Sequence, residues 1–457
     1  MRNVLILGAG LISRPLIHYL LTHYGIRVLV ATEHPERARQ VMGEHPRGRV
    51  VPLDVRDAAA LAPLVEEADV VVSLLPAELN PEVARHCIRL RRSLVNTSYA
   101  STEMRSLHEE ATAAGVLLLN EMGLDPGIDH MSAIAMLRRL RAAGGTVTQF
   151  ISCCGGFPAL DANTNPWGYK FSWSPRAVML AGLRPARFRR QGETVEVPGD
   201  QLFSRSWPFG IDGLGVFEIY PNRDSLAYLV PYGIPEAPDF FRGTLRYPGW
   251  CATMFAASRL GLLDPAVARW PEGTTYRDLL TRWVPGGRDR GATRRVAEFL
   301  QLDADSEVVA RLEWAGLFSD RPVGEGEASP IDLFGRRLQR LMMYSPGERD
   351  MVLLQHVFTV AYPDGSHEAV RARLVAHGDP WGDTAMARTV SLTAAIAARL
   401  IVEKGFQATG VQIPTLREIY EPILDELAER GVGLEETHMK SFRGPFESLS
   451  PAPRLPS

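Results

Sequence analysis

Residue type and spacing speak most directly for chemistry in Gly8-Ala9-Gly10-Leu11-Ile12-Ser13. The stretch follows the apolar run Val4-Leu5-Ile6-Leu7 and opens a helix-like segment from Ser13 to Leu21, so it reads as strand, tight turn and helix. Gly8 and Gly10 permit backbone conformations that a side chain blocks, and they let a pyrophosphate approach the main chain. The helix start adds free N–H groups and the positive end of its dipole. Ser13 is a small residue where close helix–strand packing needs one. The order therefore points to a bound dinucleotide, with Leu11 and Ile12 in the turn beside its phosphates.

A second candidate contact comes about 20 residues later, where an acidic side chain at a strand end accepts hydrogen bonds from an adenosine ribose. Arg27-Val28-Leu29-Val30-Ala31 reads as that strand, and Glu33 follows it. A carboxylate there repels a 2′-phosphate, so Glu33 favours NAD over NADP, although Arg37 and Arg39 lie close enough in sequence to reach a phosphate. Asp54, at the end of a strand over residues 49–55, is placed to touch the adenine. Leu75 lies at the end of a strand over Ala68–Pro76, stopped by its proline, where a loop lies along the cofactor.

These residues need a sheet to hold them. Further apolar strands at Ser93–Tyr99 and Gly115–Glu121 alternate with helical stretches, giving residues 1–125 about six parallel strands of a Rossmann-type, doubly wound α/β sheet. At 457 residues the chain exceeds a single core. After a Pro-Gly turn at Leu124-Asp125-Pro126-Gly127 the texture changes to short strands around 150–156, 215–220 and 241–247. A hairpin over 351–375 turns at Pro363-Asp364-Gly365. We expect an α+β domain with a mostly antiparallel sheet over residues 126–251 and 346–384, and a helical subdomain over 252–345. C-terminal helices follow over 385–435, then a disordered tail over 436–457.

The formal net charge of −3 offers no basic field for nucleic acid or an anionic membrane. No run reaches the roughly 18 consecutive apolar residues of a membrane span, and residues 1–10 lack a signal peptide. Four cysteines without Cys-x-x-Cys spacing, and histidines without His-Glu-x-x-His spacing, indicate neither a disulfide framework nor a metal site, and His130 and His356 read as structural. The expected location is the cytoplasm.

Longer motifs carry a resemblance. Asn120-Glu121-Met122-Gly123-Leu124-Asp125-Pro126-Gly127-Ile128-Asp129-His130, Cys154-Gly155-Gly156, Gly168-Tyr169-Lys170-Phe171-Ser172-Trp173-Ser174, Tyr220-Pro221-Asn222-Arg223-Asp224-Ser225, Arg242-Gly243-Thr244-Leu245-Arg246-Tyr247, Gly316-Leu317-Phe318-Ser319-Asp320 and Glu348-Arg349-Asp350-Met351 occur in this order. In them the chain resembles the glutamate-forming saccharopine dehydrogenases, from residue 1 to about 435. The resemblance implies a Rossmann domain, a substrate domain that also makes a homodimer, and C-terminal helices packed back on the first domain. It also implies NAD(P)-linked oxidation of saccharopine to glutamate and 2-aminoadipate 6-semialdehyde, in lysine metabolism.

Residue by residue, Thr97, Ser98 and Tyr99 resemble the loop between cofactor and substrate, and Asp125 the carboxylate beside the reacting amine. Leu124 to Gly127 resemble the loop under the nicotinamide. Arg223 and Thr244 resemble residues that hold substrate carboxylates, with Arg242 and Arg246 as weaker candidates, and Ser174 a cofactor contact. A guanidinium suits a tricarboxylate substrate because it binds a carboxylate through two parallel hydrogen bonds. Cys154 is either a hydrogen-bonding partner of the reactants or a small buried residue before two glycines. Two departures stand out: Glu33 replaces a common arginine, and Ser391-Leu392-Thr393 replaces a Gly-x-Pro, which reads as a packing difference of little consequence for the site. The alternatives are a polyamine-imine reductase of the carboxynorspermidine dehydrogenase type and a non-catalytic dinucleotide-binding regulator.

Overall fold

The computed structural model describes residues 1–286 and 291–439. Two compact units divide the chain, one of Met1–Thr146 with Ala372–Thr437, the other of Val147–Arg371 with the residues from His438. This division differs from the expected boundaries. Residues 126–146 and 372–384 fall with the first unit, and 252–345 do not separate from the second.

The first unit is a seven-stranded parallel sheet. Strands β1 (Arg2–Leu7), β2 (Ile26–Thr32), β3 (Gly48–Pro52), β4 (Val70–Ser73), β5 (Ser93–Asn96) and β6 (Leu117–Leu119) take the order β3-β2-β1-β4-β5-β6, and a seventh strand, Gly410–Gln412, pairs with β6. Near-continuous Val/Leu/Ile runs with all four residues of β4 buried are what a sheet covered on both faces requires. Helices α1 (Ser13–Thr22), α2 (Pro35–Met42), α3 (Ala58–Glu67), α4 (Asn80–Leu90), α5 (Thr102–Ser106) and α6 (His108–Ala113) supply the crossovers. They are followed by α7 (Ile128–Ala142).

The second unit carries a nine-stranded mixed sheet. Its strands are β7 (Thr146–Pro158), β8 (Ala186–Arg190), β9 (Glu193–Val197), β10 (Trp207–Ile211), β11 (Gly215–Pro221), β12 (Asp239–Arg246), and, beyond the small ribbon β13 (Ala268–Trp270) and β14 (Gly326–Ala328), β15 (Asp350–Ala361) and β16 (His367–His377), with a ninth, Glu435–Met439, beside β16. One central pairing, β12 with β7, is parallel. Helices α8 (Pro175–Ala181), α9 (Trp250–Arg259), α10 (Tyr276–Leu280), α11 (Ala292–Leu300), α12 (Glu307–Trp314) and α13 (Pro330–Leu341) share one apolar core with this sheet, which is why the helical stretch is no separate body.

Helix α14 (Ala385–Glu403) packs on α1, β4 and β5, and α15 (Arg417–Glu429) on α7 and α14. This packing draws α7 into the first unit. By length and composition α14 could cross a bilayer, yet 78% of its apolar window is buried inside the protein, as in a core helix. The strand Gly410–Gln412 is β17, and β18 (Glu435–Met439) occupies the start of the segment expected to be a disordered tail. Residues 440–457 lie outside the described residues, as do 287–290 of the expected helical subdomain.

Candidate active site

Ligands of open parallel sheets bind beyond the carboxyl ends of the strands. The sequence-predicted residues of the first unit gather there. Gly8, Gly10, Leu11 and Ile12 follow β1; Glu33 follows β2; Asp54 follows β3; Leu75 follows β4; Thr97, Ser98 and Tyr99 follow β5; and Leu124, Asp125 and Gly127 follow β6.

The glycine turn fits a dinucleotide's phosphates. Gly8 has φ +94°, a conformation that favours glycine, and a Cβ on it would lie in ordinary contact with Leu74 and Leu75 at 3.5 Å. Above Gly10 a Cβ would meet nothing within 4 Å, so the main chain there is open to a ligand. Ser101 caps α5 and Asp57 caps α3 with side-chain oxygens, whereas α1 has no side-chain cap, leaving its first-turn N–H groups to an incoming anion. The Ser391 hydroxyl on α14 donates to the Ile12 carbonyl. This departure from the family pattern therefore reaches the turn itself, nearer the site than the sequence suggested.

At the far end of β2 and β3 the sequence missed a residue. Arg39 pairs with Glu36 on its own helix, while the guanidinium beside Glu33 is that of Arg56. Its Nε and Nη2 grip the two oxygens of Asp54 at 2.8 and 2.9 Å, and Nη2 lies 3.2 Å from Glu33. The hydrogen bonds from Arg56 hold the Asp54 carboxyl below its usual range. Asp54, expected to touch the adenine, is thus tied to a guanidinium.

The loops after β5 and β6 are tied together. Tyr99 donates from its hydroxyl to Asp125 Oδ1 at 2.7 Å. Asn96 Nδ2 donates to Asn120 Oδ1 at 2.7 Å, and the Ser98 N–H donates to Asn96 Oδ1 at 3.0 Å. Gly127, at φ +146°, would place a Cβ 2.0 Å from the Gly123 carbonyl oxygen, so only glycine closes this turn. Thr97 lies against it, 3.6 Å from a Cβ built on Gly123.

In the second unit the predicted residues form a row across three strands. Thr244 on β12 is the register partner of Cys154 on β7 and of Tyr220 on β11. Arg223 comes two residues after β11 and has φ +53°, while its carbonyl accepts the Arg187 N–H at 3.0 Å. Alternation places Arg242, Thr244 and Arg246 on one face of β12. Arg242 lies over the Tyr228 ring at 4.6 Å. Arg246 is 6% exposed, 5.1 Å from the Tyr169 ring centre and 5.7 Å from that of Trp250, and its one hydrogen bond goes to the Leu245 carbonyl. Its cross-strand neighbour Glu218 turns instead to the Gly249 and Cys251 N–H groups at the start of α9. Among the described residues no carboxylate pairs with Arg246. Burial raises the neighbouring Tyr220 phenol to about 12, so it stays neutral beside the cation. Ser174 is exposed and accepts the Ala177 N–H at 3.3 Å, capping α8. No group of three or more metal-ligating side chains occurs among the described residues.

Comparison with known proteins agrees along the chain. Residues 4–119 match the saccharopine dehydrogenase NADP binding domain and residues 123–432 the saccharopine dehydrogenase C-terminal domain. A Schizosaccharomyces pombe protein named saccharopine dehydrogenase [NADP(+), L-glutamate-forming] is 34% identical, covering 95% of this chain and 99% of its own. The mitochondrial alpha-aminoadipic semialdehyde synthase of Bos taurus is 35% identical over 94% of this chain and 47% of its own. The apo saccharopine dehydrogenase (L-Glu forming) of Saccharomyces cerevisiae superimposes with a TM-score of 0.83 at 33% identity, covering 96% of this chain and all of that one. The chain belongs to the saccharopine dehydrogenase family.

Proposed function

We propose that this protein catalyses the reversible NAD(P)-linked oxidation of saccharopine to L-glutamate and 2-aminoadipate 6-semialdehyde, within the aminoadipate route of lysine metabolism. The observation that carries the reading is the 2.7 Å Tyr99–Asp125 hydrogen bond, set on the same strand ends as the glycine turn, in a chain that matches glutamate-forming enzymes end to end.

The nicotinamide, when bound, supplies the acceptor for the hydride that leaves the carbon next to the substrate nitrogen. The protein's own residues do the rest. Saccharopine's secondary amine must shed a proton before that carbon can give up hydride, and Asp125 is the carboxylate this reading assigns to the amine. Tyr99, hydrogen-bonded to it, orients the amine and then the water that adds to the imine. The resulting carbinolamine collapses to the aldehyde and the amine of glutamate. Positioning contributes much of the rate in such a site.

Arg246 suits a substrate carboxylate because it is a buried cation that no carboxylate pairs with among the described residues, with Thr244 and Cys154 as neighbours and Arg223 as a second anchor. For the dinucleotide, Glu33 accepts the ribose 2′-hydroxyl of NAD, and with Asp54 it opposes a 2′-phosphate that Arg56 alone would attract. NAD is therefore the preferred cofactor in this reading, while the Schizosaccharomyces pombe relative is named as an NADP(+) enzyme. The homodimer rests on the resemblance, and sedimentation analysis tests it.

The deciding assay supplies purified protein with saccharopine and either NAD or NADP, following reduced nicotinamide and glutamate. Turnover with glutamate release is expected. Cofactor binding without turnover would overturn the proposal.

A further inference from the structure

We propose that Glu121 and His130 are positioning residues for the Tyr99–Asp125 pair, a role that rests on the activity proposed above. Both are fully buried, so they meet no substrate and act through their neighbours. The Glu121 N–H donates to the Ser98 carbonyl at 3.1 Å, and its Oε1 accepts the Ala100 N–H at 3.0 Å. These two contacts bracket Tyr99. Glu121 Oε2 lies 2.8 Å from His130 Nε2, in the first turn of α7. Asp125 falls between the two in sequence, so the pair closes the loop that carries Asp125 and clamps it to the loop that carries Tyr99.

A carboxylate is the residue type this needs, because its two oxygens serve partners on different sides. Glutamine offers one acceptor, alanine none. Arg105 approaches Oε1 at 3.7 Å from the exposed side. Asp129 extends the clamp, with Oδ2 3.6 Å from His130 Nδ1 and Oδ1 accepting the Gly127 N–H at 2.7 Å. Glu121 holds φ +62°, a conformation that non-glycine residues keep only where their surroundings fix it. Here both its N–H and its carboxylate are engaged.

The test is a cycle of Tyr99→Phe, Glu121→Ala, Glu121→Gln and the doubles in the full chain. Glu121→Ala is expected to lower kcat roughly 10- to 100-fold by misplacing the pair. The dinucleotide dissociation constant, read by fluorescence titration, should stay unchanged, and Glu121→Gln should restore part of kcat. Because Glu121 acts through Tyr99, adding Glu121→Ala to Tyr99→Phe should cost little more than Tyr99→Phe alone. Fully additive losses would overturn the proposal. If Glu121→Ala does not fold, Glu121→Gln and His130→Gln carry the same comparison. Should the wild-type protein show no saccharopine turnover, the activity fails by itself. The clamp is then judged by a crystal structure of the variant, where a Tyr99–Asp125 separation above roughly 3.5 Å supports it and an intact bond refutes it.

Discussion

Two clusters around carboxylates in the first unit differ chiefly in exposure. Glu121 and His130 are fully buried, whereas Arg56, Glu33 and Asp54 keep side-chain exposures of 68%, 54% and 47%. Burial removes competing water, so the inner pair can hold loop geometry but becomes costly to break. Exposure leaves the outer trio weak as a fastening and free to meet a ligand. Arg246 combines the two conditions: it is buried, and among the described residues no carboxylate pairs with it. The contrast says where to look for stability, for substrate affinity and for cofactor choice.

The largest effect is expected at the inner pair. Glu121→Ala leaves the part-buried Ala100 N–H without its acceptor and opens a gap beside the buried His130, which costs about 1–3 kcal/mol in urea unfolding. A loss below about 1 kcal/mol would place the pair with the surface clusters and break the comparison. Arg246→Met sharpens it from the other side. Removing a buried cation that has no carboxylate partner among the described residues should leave stability unchanged or raise it. The KM for saccharopine should rise about 10- to 150-fold, the equivalent of one lost charged hydrogen-bonding contact of about 1.5–3 kcal/mol. Destabilisation with an unaltered KM would make Arg246 a packing residue.

Effects at the outer trio should be smaller and sensitive to salt. Glu33→Ala is expected to shift the NADP-to-NAD ratio of dissociation constants about five- to tenfold toward NADP, and Arg56→Ala to shift it the opposite way. At about 0.5 M salt both shifts should shrink, because exposed charges are screened over a few ångströms. The stability loss of Glu121→Ala should not. Equal salt dependence at the two clusters would mean that exposure is not the distinguishing variable.

The sequence carried the parallel sheet because strands buried on both faces read as continuous apolar runs, and it carried the glycine turn because only glycine meets that backbone demand. Glu33, Asp54, Tyr99 and Asp125 were legible as residues at strand ends. Their partners were not. Arg56 meets Glu33 only once β2 and β3 are aligned, 23 positions apart. Glu121 finds Ala100 across 21 positions, and its nine-residue spacing from His130 follows no helical or strand period. Arg246 was visible as a cation, but that Glu218 turns away from it depends on the start of α9. The expected boundary at residue 125 moves to 146 for a similar reason: α7 follows the turn that ends the sheet, yet it packs on α15, almost 300 positions downstream.

The smallest expected effect concerns pH at the outer trio. Hydrogen bonds from Arg56 hold the Asp54 carboxyl below its ordinary value of 3.8. A group lowered in the folded state contributes above its ordinary value and loses that contribution only as the pH falls through the lowered one. Asp54 therefore remains ionised and gripped by Arg56 across neutral pH, and the charge presented to the adenosine ribose stays constant. The NADP-to-NAD ratio of dissociation constants should accordingly be flat from about pH 6 to about pH 8, whereas turnover over the same range follows the proton that leaves the substrate amine. A ratio that moved within this window would place cofactor choice on a group other than the Asp54–Arg56 pair and detach it from the outer cluster.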